Sequence, residues 1–141
     1  ASVVLHAADQ IRKTGRARLF KSHRAGCSDG EQRRDFVYVD DVVDVLAWAA
    51  GGGARRGIYN LGTGRARTFA DLARATFRAL GMPPAIDFID MPMELRDRYQ
   101  YFTQAEMGRL RDAGYERPFA SVEEGVADYV ANHLATDDPY R

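Results

Sequence analysis

The sequence predicts an α/β fold, and three observations carry that reading. Short apolar runs rich in β-branched and aromatic residues alternate with longer stretches of helical spacing. Those runs lack clean polar/apolar alternation, the pattern of strands buried on both faces of a parallel sheet. Capping residues and glycines fall where the helical stretches begin and end.

The elements follow in order. Ser2 to Lys13 reads as a helix with Val3, Ala7 and Ile11 along one face and Gly15 past its end. ARLF (17–20) is a short candidate strand, and the polar, Gly/Ser-bearing stretch 21–33 is a long loop of the kind that often carries function. FVYV (36–39) is a strand candidate, with Asp40 or Asp41 capping the next helix. Val42, Val45, Leu46 and Ala49 then form its inner stripe, and GGGARRG ends it. IYNL (58–61) is the next strand, closed by GTGR. Thr68 and Asp71 open a helix with Phe69, Leu72, Thr76, Phe77 and Leu80 inward and Gly81 as its stop. IDFI (86–89) is a further strand, followed by a loop over 90–102. Thr103 with Glu106 predicts a capping box for a short helix, and Ser121 with Glu124 another for a terminal helix through Leu134.

Length and charge set the outer bounds. A chain of 141 residues supports one core. Twenty basic and twenty acidic residues balance, which argues against a general nucleic-acid binder. Cys27 is the sole cysteine, so no internal disulfide forms and a cytoplasmic setting fits best. No apolar run has membrane-spanning length, and the first residues show no signal-peptide pattern. The missing initiator Met and a sheet too small to cover its own edges lead to the expectation that this chain is part of something longer.

Several chemistries are missing. No complete dinucleotide fingerprint occurs; GTG at 62–64 reads as a tight strand-to-helix turn. There is no Tyr-x-x-x-Lys pair, since Lys13 and Lys21 are the only lysines. His6, His23 and His133 lack metal-ligand spacing with one another or with Cys27. The acids of VDDVVDV read as a cap and a solvated helix face. Arg34, rooted beside a strand, has two readings. It could pair with Asp35 or Glu31 at the surface, or its planar fork could hold a phosphate through two parallel charge-assisted bonds.

RDFVYVDDVVDV followed by GIYNLGTGRARTFADLA resembles the nucleotide-sugar branch of the extended short-chain dehydrogenase/reductase family. ASVVLHAADQ, LFKS, RYQYFTQAEMGRLRDAGYERPF and SVEEGVADYV resemble, within that branch, the ADP-heptose epimerases, over essentially the whole chain. The resemblance implies the C-terminal, substrate-binding portion of such an enzyme, with strands that complete a Rossmann-type parallel sheet. It implies an NADP-dependent inversion at C6 of an ADP-heptose, by hydride removal and return, in lipopolysaccharide core precursor synthesis. The serine, tyrosine and lysine that move protons, and the glycine loop for NADP, would lie ahead of Ala1. This segment alone would be inactive. Carried over residue by residue, the substrate contacts are His6, Phe20, Lys21, Ser22, His23, Arg34 on the diphosphate, and Tyr99 closing over the sugar. Lys21 and His23 depart from the family's residue types, which leaves their backbone contacts as the expected ones, and the 23–34 loop is longer than usual. A homo-oligomer, a pentamer by resemblance, is implied. The alternatives are another nucleotide-sugar epimerase or dehydratase, and a non-catalytic nucleotide-binding or partner-binding module.

Overall fold

Residues 2–135 are described by the computed structural model, so the expected span of 1–141 reaches beyond the described residues at both ends. The first helix, α1 (Val3–Thr14), starts where the Ser2 hydroxyl accepts the Leu5 N–H at 3.3 Å. It ends at Gly15, whose positive φ of 72° lets its N–H reach back to the Ile11 carbonyl. There follow β1 (Ala17–Phe20), β2 (Arg33–Arg34), α2 (Val39–Ala50), β3 (Arg67–Thr68), α3 (Phe69–Ala79) and β4 (Ile86–Ile89). The chain then forms α4 (Met93–Arg96), α5 (Gly108–Asp112) and α6 (Val122–Tyr129), and α6 runs into a π-helical turn, Val130–Leu134.

The single parallel sheet predicted from the sequence is two separate pairs. β1 and β4 are parallel, with Ala17 opposite Ile86 and Phe20 opposite Ile89. β2 and β3 are antiparallel, with Arg33 opposite Thr68 and Arg34 opposite Arg67. Residues 36–39 and 58–61 are not strands; among the described residues nothing pairs with them, and Ile58 is 81% exposed. A strand exists only through a ladder partner, so apolar sequence alone does not make one.

Among the described residues, three apolar clusters hold the chain together. In the largest, Ala8 of α1, Leu72 and Ala75 of α3, and Val122, Val126, Val130 and Leu134 of the C-terminal helical segment meet. A second joins Ile11, Ala17 and Phe77, fixing the β1–β4 pair beneath α1 and α3. A third gathers Val45, Leu110 and Tyr115 under α2, with Trp48 and Phe119 packed against it. Arg67 ties the frame electrostatically, donating to Glu123 at 2.7 Å and to Asp71 at 3.2 Å.

Helix ends explain the remaining differences. Thr68–Asp71 and Ser121–Glu124 are both capping boxes, as their spacing predicts. Thr103–Glu106 is not: α5 starts later, after Met107, because 101–105 is drawn along β2 instead. Neither Asp40 nor Asp41 caps α2. Both lie inside its first turn, where acid still favours the helix dipole, and Asp41 accepts the Ala120 N–H at 2.9 Å. Leu46, placed inward by its spacing, is 60% exposed, as are Val39 (58%) and Val43 (55%) of the same helix. No helix among the described residues is long and apolar enough to cross a membrane.

Candidate functional site

β2 is two residues long, yet it is held from both sides. β3 pairs along one edge. Along the other, the Arg33 N–H donates to the Tyr101 carbonyl at 2.9 Å and the Thr103 N–H donates back to the Arg33 carbonyl at 3.3 Å. The 99–103 segment therefore lies beside Arg34 through backbone bonds. The Arg34 guanidinium sits against two rings, 5.5 Å from the centre of Tyr99 and 5.9 Å from that of Phe69. Its hydrogen bond is to the Arg33 carbonyl at 3.2 Å, and among the described residues no carboxylate forms an ion pair with it. Aromatic faces orient a guanidinium without consuming its in-plane donors.

Tyr99 continues the cluster, edge-on to Phe20 at 6.4 Å and to Tyr101 at 5.4 Å. Burial pushes its hydroxyl pKa up, and the Arg34 charge opposes that rise. The end of β1 joins from the other side. Buried Gln32 donates to the Phe20 carbonyl at 3.2 Å. The Lys21 N–H donates to the Ile89 carbonyl at 2.8 Å, and its ammonium lies 3.3 Å from Asp90. The Ser22 N–H donates to Asp29 at 2.7 Å, and the His23 N–H donates to the Tyr101 hydroxyl at 3.0 Å. His23 Nε2 accepts the Met91 N–H at 3.2 Å, which requires the tautomer protonated at Nδ1.

Six of the seven residues singled out in the sequence thus come together: Phe20, Lys21, Ser22, His23, Arg34 and Tyr99. One expectation changes in kind. The backbone N–H groups of Lys21, Ser22 and His23 already have acceptors within the chain, so what this stretch offers a ligand is side chains and carbonyl oxygens. His6 stands apart. It is exposed on α1, and no hydrogen bond, ion pair or ring contact among the described residues joins it to the cluster. At about 100° per residue, the rotation that buries Ala8 and Ile11 turns His6 away.

Asp35 was legible only as a surface partner for Arg34, and it is something else. Its two oxygens accept from Thr63 N–H (2.8 Å), Thr63 hydroxyl (2.5 Å), Gly64 N–H (2.9 Å) and Ala105 N–H (3.0 Å). Burial would raise this carboxyl, but the bonds from Thr63, Ala105 and Gly64 outweigh it and hold the group below the ordinary carboxylate range. The signal in the sequence was the GTG turn, whose consecutive N–H groups form an anion-binding nest. The nest is filled by Asp35. The turn therefore does not fit a dinucleotide phosphate.

Two cavities lie elsewhere. One of about 420 Å³ is lined mainly by apolar side chains of 36–39, α1 and α6. The other, of about 440 Å³, lies beside Arg65, Arg67 and Arg111. Neither is lined by Arg34 or Tyr99. Chemically the cluster offers a planar cation that no described carboxylate pairs, with aromatic walls, suited to a phosphate or carboxylate group.

Residues 2–62 match the model of the NAD dependent epimerase/dehydratase family. Over 99% of its length the chain is 48% identical to the ADP-L-glycero-D-manno-heptose-6-epimerase of Fusobacterium nucleatum subsp. nucleatum, covering 44% of that protein. The chain thus spans less than half the length of this relative. The crystal structure of the Helicobacter pylori ADP-L-glycero-D-manno-heptose-6-epimerase superposes with a TM-score of 0.74 at 29% identity, over 96% of this chain and 38% of that one. Thermus thermophilus UDP-glucose 4-epimerase superposes with a TM-score of 0.70 at 28% identity, over 89% of this chain and 37% of that one.

Proposed function

We propose that this chain is the C-terminal, nucleotide-sugar-binding part of an ADP-heptose 6-epimerase. The longer protein inverts C6 of ADP-D-glycero-D-manno-heptose for lipopolysaccharide core precursor synthesis, as a cytoplasmic homo-oligomer. NADP, which supplies the oxidation and re-reduction, is held by the remainder of that protein together with the proton-moving residues. This segment holds the ADP-sugar and by itself turns nothing over. The single observation that carries the reading is the Arg34 guanidinium, unpaired by any described carboxylate and flanked by Tyr99 and Phe69. Such a fork is preorganised for two parallel bonds to a diphosphate. Tyr99, in a loop beside it, closes over the sugar, and Phe20 to His23 line the approach. The exposed apolar stripe of Val39, Val43 and Leu46 supports a second lobe seated on α2.

The test is isothermal titration and kinetics on the longer protein. Arg34→Ala is expected to weaken ADP-sugar binding by about 1.5–3 kcal/mol, and Arg34→Lys to recover only part, because a point charge does not reproduce the fork. An unchanged Michaelis constant and rate for Arg34→Ala would remove Arg34 from the site. The likeness to a UDP-sugar epimerase supports a second reading, a different nucleotide-sugar enzyme of the same family. Preference for UDP- or GDP-sugars over ADP-sugars in the same titration decides for it.

A further inference from the structure

We propose that Asp35 is a positioning residue for the nucleotide sugar: one carboxylate locks the Arg34 fork and the Tyr99 loop into a single binding arrangement. The inference rests on the reading of Arg34 as the diphosphate ligand.

Two segments far from it in sequence meet at this carboxylate. Thr63 is 28 residues from it, Gly64 is 29 and Ala105 is 70. Oδ1 takes both Thr63 donors, and Oδ2 takes the Gly64 and Ala105 N–H groups. Four donors use the acceptor capacity of one carboxylate in full. Ala105 follows directly on the stretch that carries Tyr99 and Tyr101, whose backbone runs along Arg33. The Gly62–Gly64 turn leads into β3, the other neighbour of β2. Asp35 therefore ties together both flanks of the short strand that bears Arg34.

The charge arrangement points the same way. Successive residues of an extended chain face opposite sides, so an aspartate directly after Arg34 is turned from it. Its negative charge is spent on neutral donors, and the neighbouring cation stays open for an external anion. Gly62 makes the approach possible, since a Cβ there would lie 2.5 Å from Asp35 Oδ2 and 2.7 Å from the Ala105 Cβ. In Asp35→Asn, an amide NH2 faces N–H donors on one side of the clamp and two of the four bonds are lost.

The experiment uses the longer protein with Arg34→Ala, Asp35→Asn and Thr63→Val, and the doubles of each of the last two with Arg34→Ala. Readouts are KM and kcat for ADP-D-glycero-D-manno-heptose and the affinity for NADP. Asp35→Asn is expected to raise KM about tenfold, with the loss falling on KM more than on kcat and not on NADP. Thr63→Val, nearly isosteric, deletes the hydroxyl donor to Asp35 together with its bonds to the Arg65 backbone, and is expected to raise KM about threefold. Neither change should add in full to the loss from Arg34→Ala, because each acts in part through that side chain and only the share carried by the Tyr99 loop is left. A wild-type KM in Asp35→Asn overturns the positioning role, as does one in Thr63→Val if the first variant does not fold. Fully multiplying effects in the doubles also overturn it, since they would leave Arg34 outside the arrangement Asp35 holds. A wild-type KM in Arg34→Ala instead overturns the underlying reading, and the positioning role with it.

Discussion

Arg34 and Asp35 are adjacent and oppositely charged, yet they do not neutralise each other. The arginine rests on rings while the aspartate collects donors from two distant segments. This pair shows what a sequence carries at the scale of single residues. Arg34 could be singled out as a planar cation, but the strand expected after it, 36–39, does not form, and Arg34 lies within β2 itself. The partner of Asp35 was not readable, because it lies 28 and 70 residues away and is fixed by tertiary contact. The clamp also has a pH signature. Its folded pKa is lowered, so its contribution to stability is present above the unfolded value and is lost as pH falls through the folded one. With an unfolded value of about 3.9, the loss falls below about pH 4. Thermal melts of the longer protein between about pH 5 and pH 3 should fall in midpoint, and Asp35→Asn should fall less steeply. Parallel slopes would contradict this.

At the scale of elements, local chemistry was a good guide wherever an element satisfies itself. α1 and α3 carry their own caps, and each begins and ends within a residue or two of its sequence signals. β1 and β4 match their apolar runs residue for residue. Elements that depend on a distant neighbour were not readable. FVYV and IYNL have strand composition but no described partner, and Thr103 is taken up by β2 before it can cap a helix. The caps are also the elements' weak points. Thr68 is buried, accepts the Asp71 N–H at 2.9 Å, and opens the helix that contacts both α1 and α6. Thr68→Ala is expected to cost about 1–2 kcal/mol in urea unfolding. The exposed Ser121 cap, replaced by Ala, should cost less. Equal costs would show that burial of the cap does not matter.

For the molecule as a whole, the notable surface is the one left uncovered. Val39, Val43 and Leu46 line the outer face of α2, while its inner face buries only Val45. The period of the sequence found the helix but chose the wrong side for Leu46, because a helix apolar on two faces gives no single direction. For a truly solvated position, Leu46→Asp would change stability by no more than about 0.5 kcal/mol. With a second lobe seated on this face, the same change in the longer protein is expected to cost about 2 kcal/mol or more, measured by urea denaturation. A loss under about 0.5 kcal/mol would leave the stripe as ordinary surface.

The parallel pairing of β1 with β4 also sets a timetable. The Lys21 N–H finds its acceptor on Ile89, and His23 receives the Met91 N–H from 68 residues further along. Parallel neighbours joined by so long a crossover are slow to find each other. While the protein is being synthesised, the Phe20–His23 stretch leaves the ribosome before its partners and must wait, unpaired, until Ile89 and Met91 have followed it out. The end of β1 is thus among the last parts of this segment to take shape.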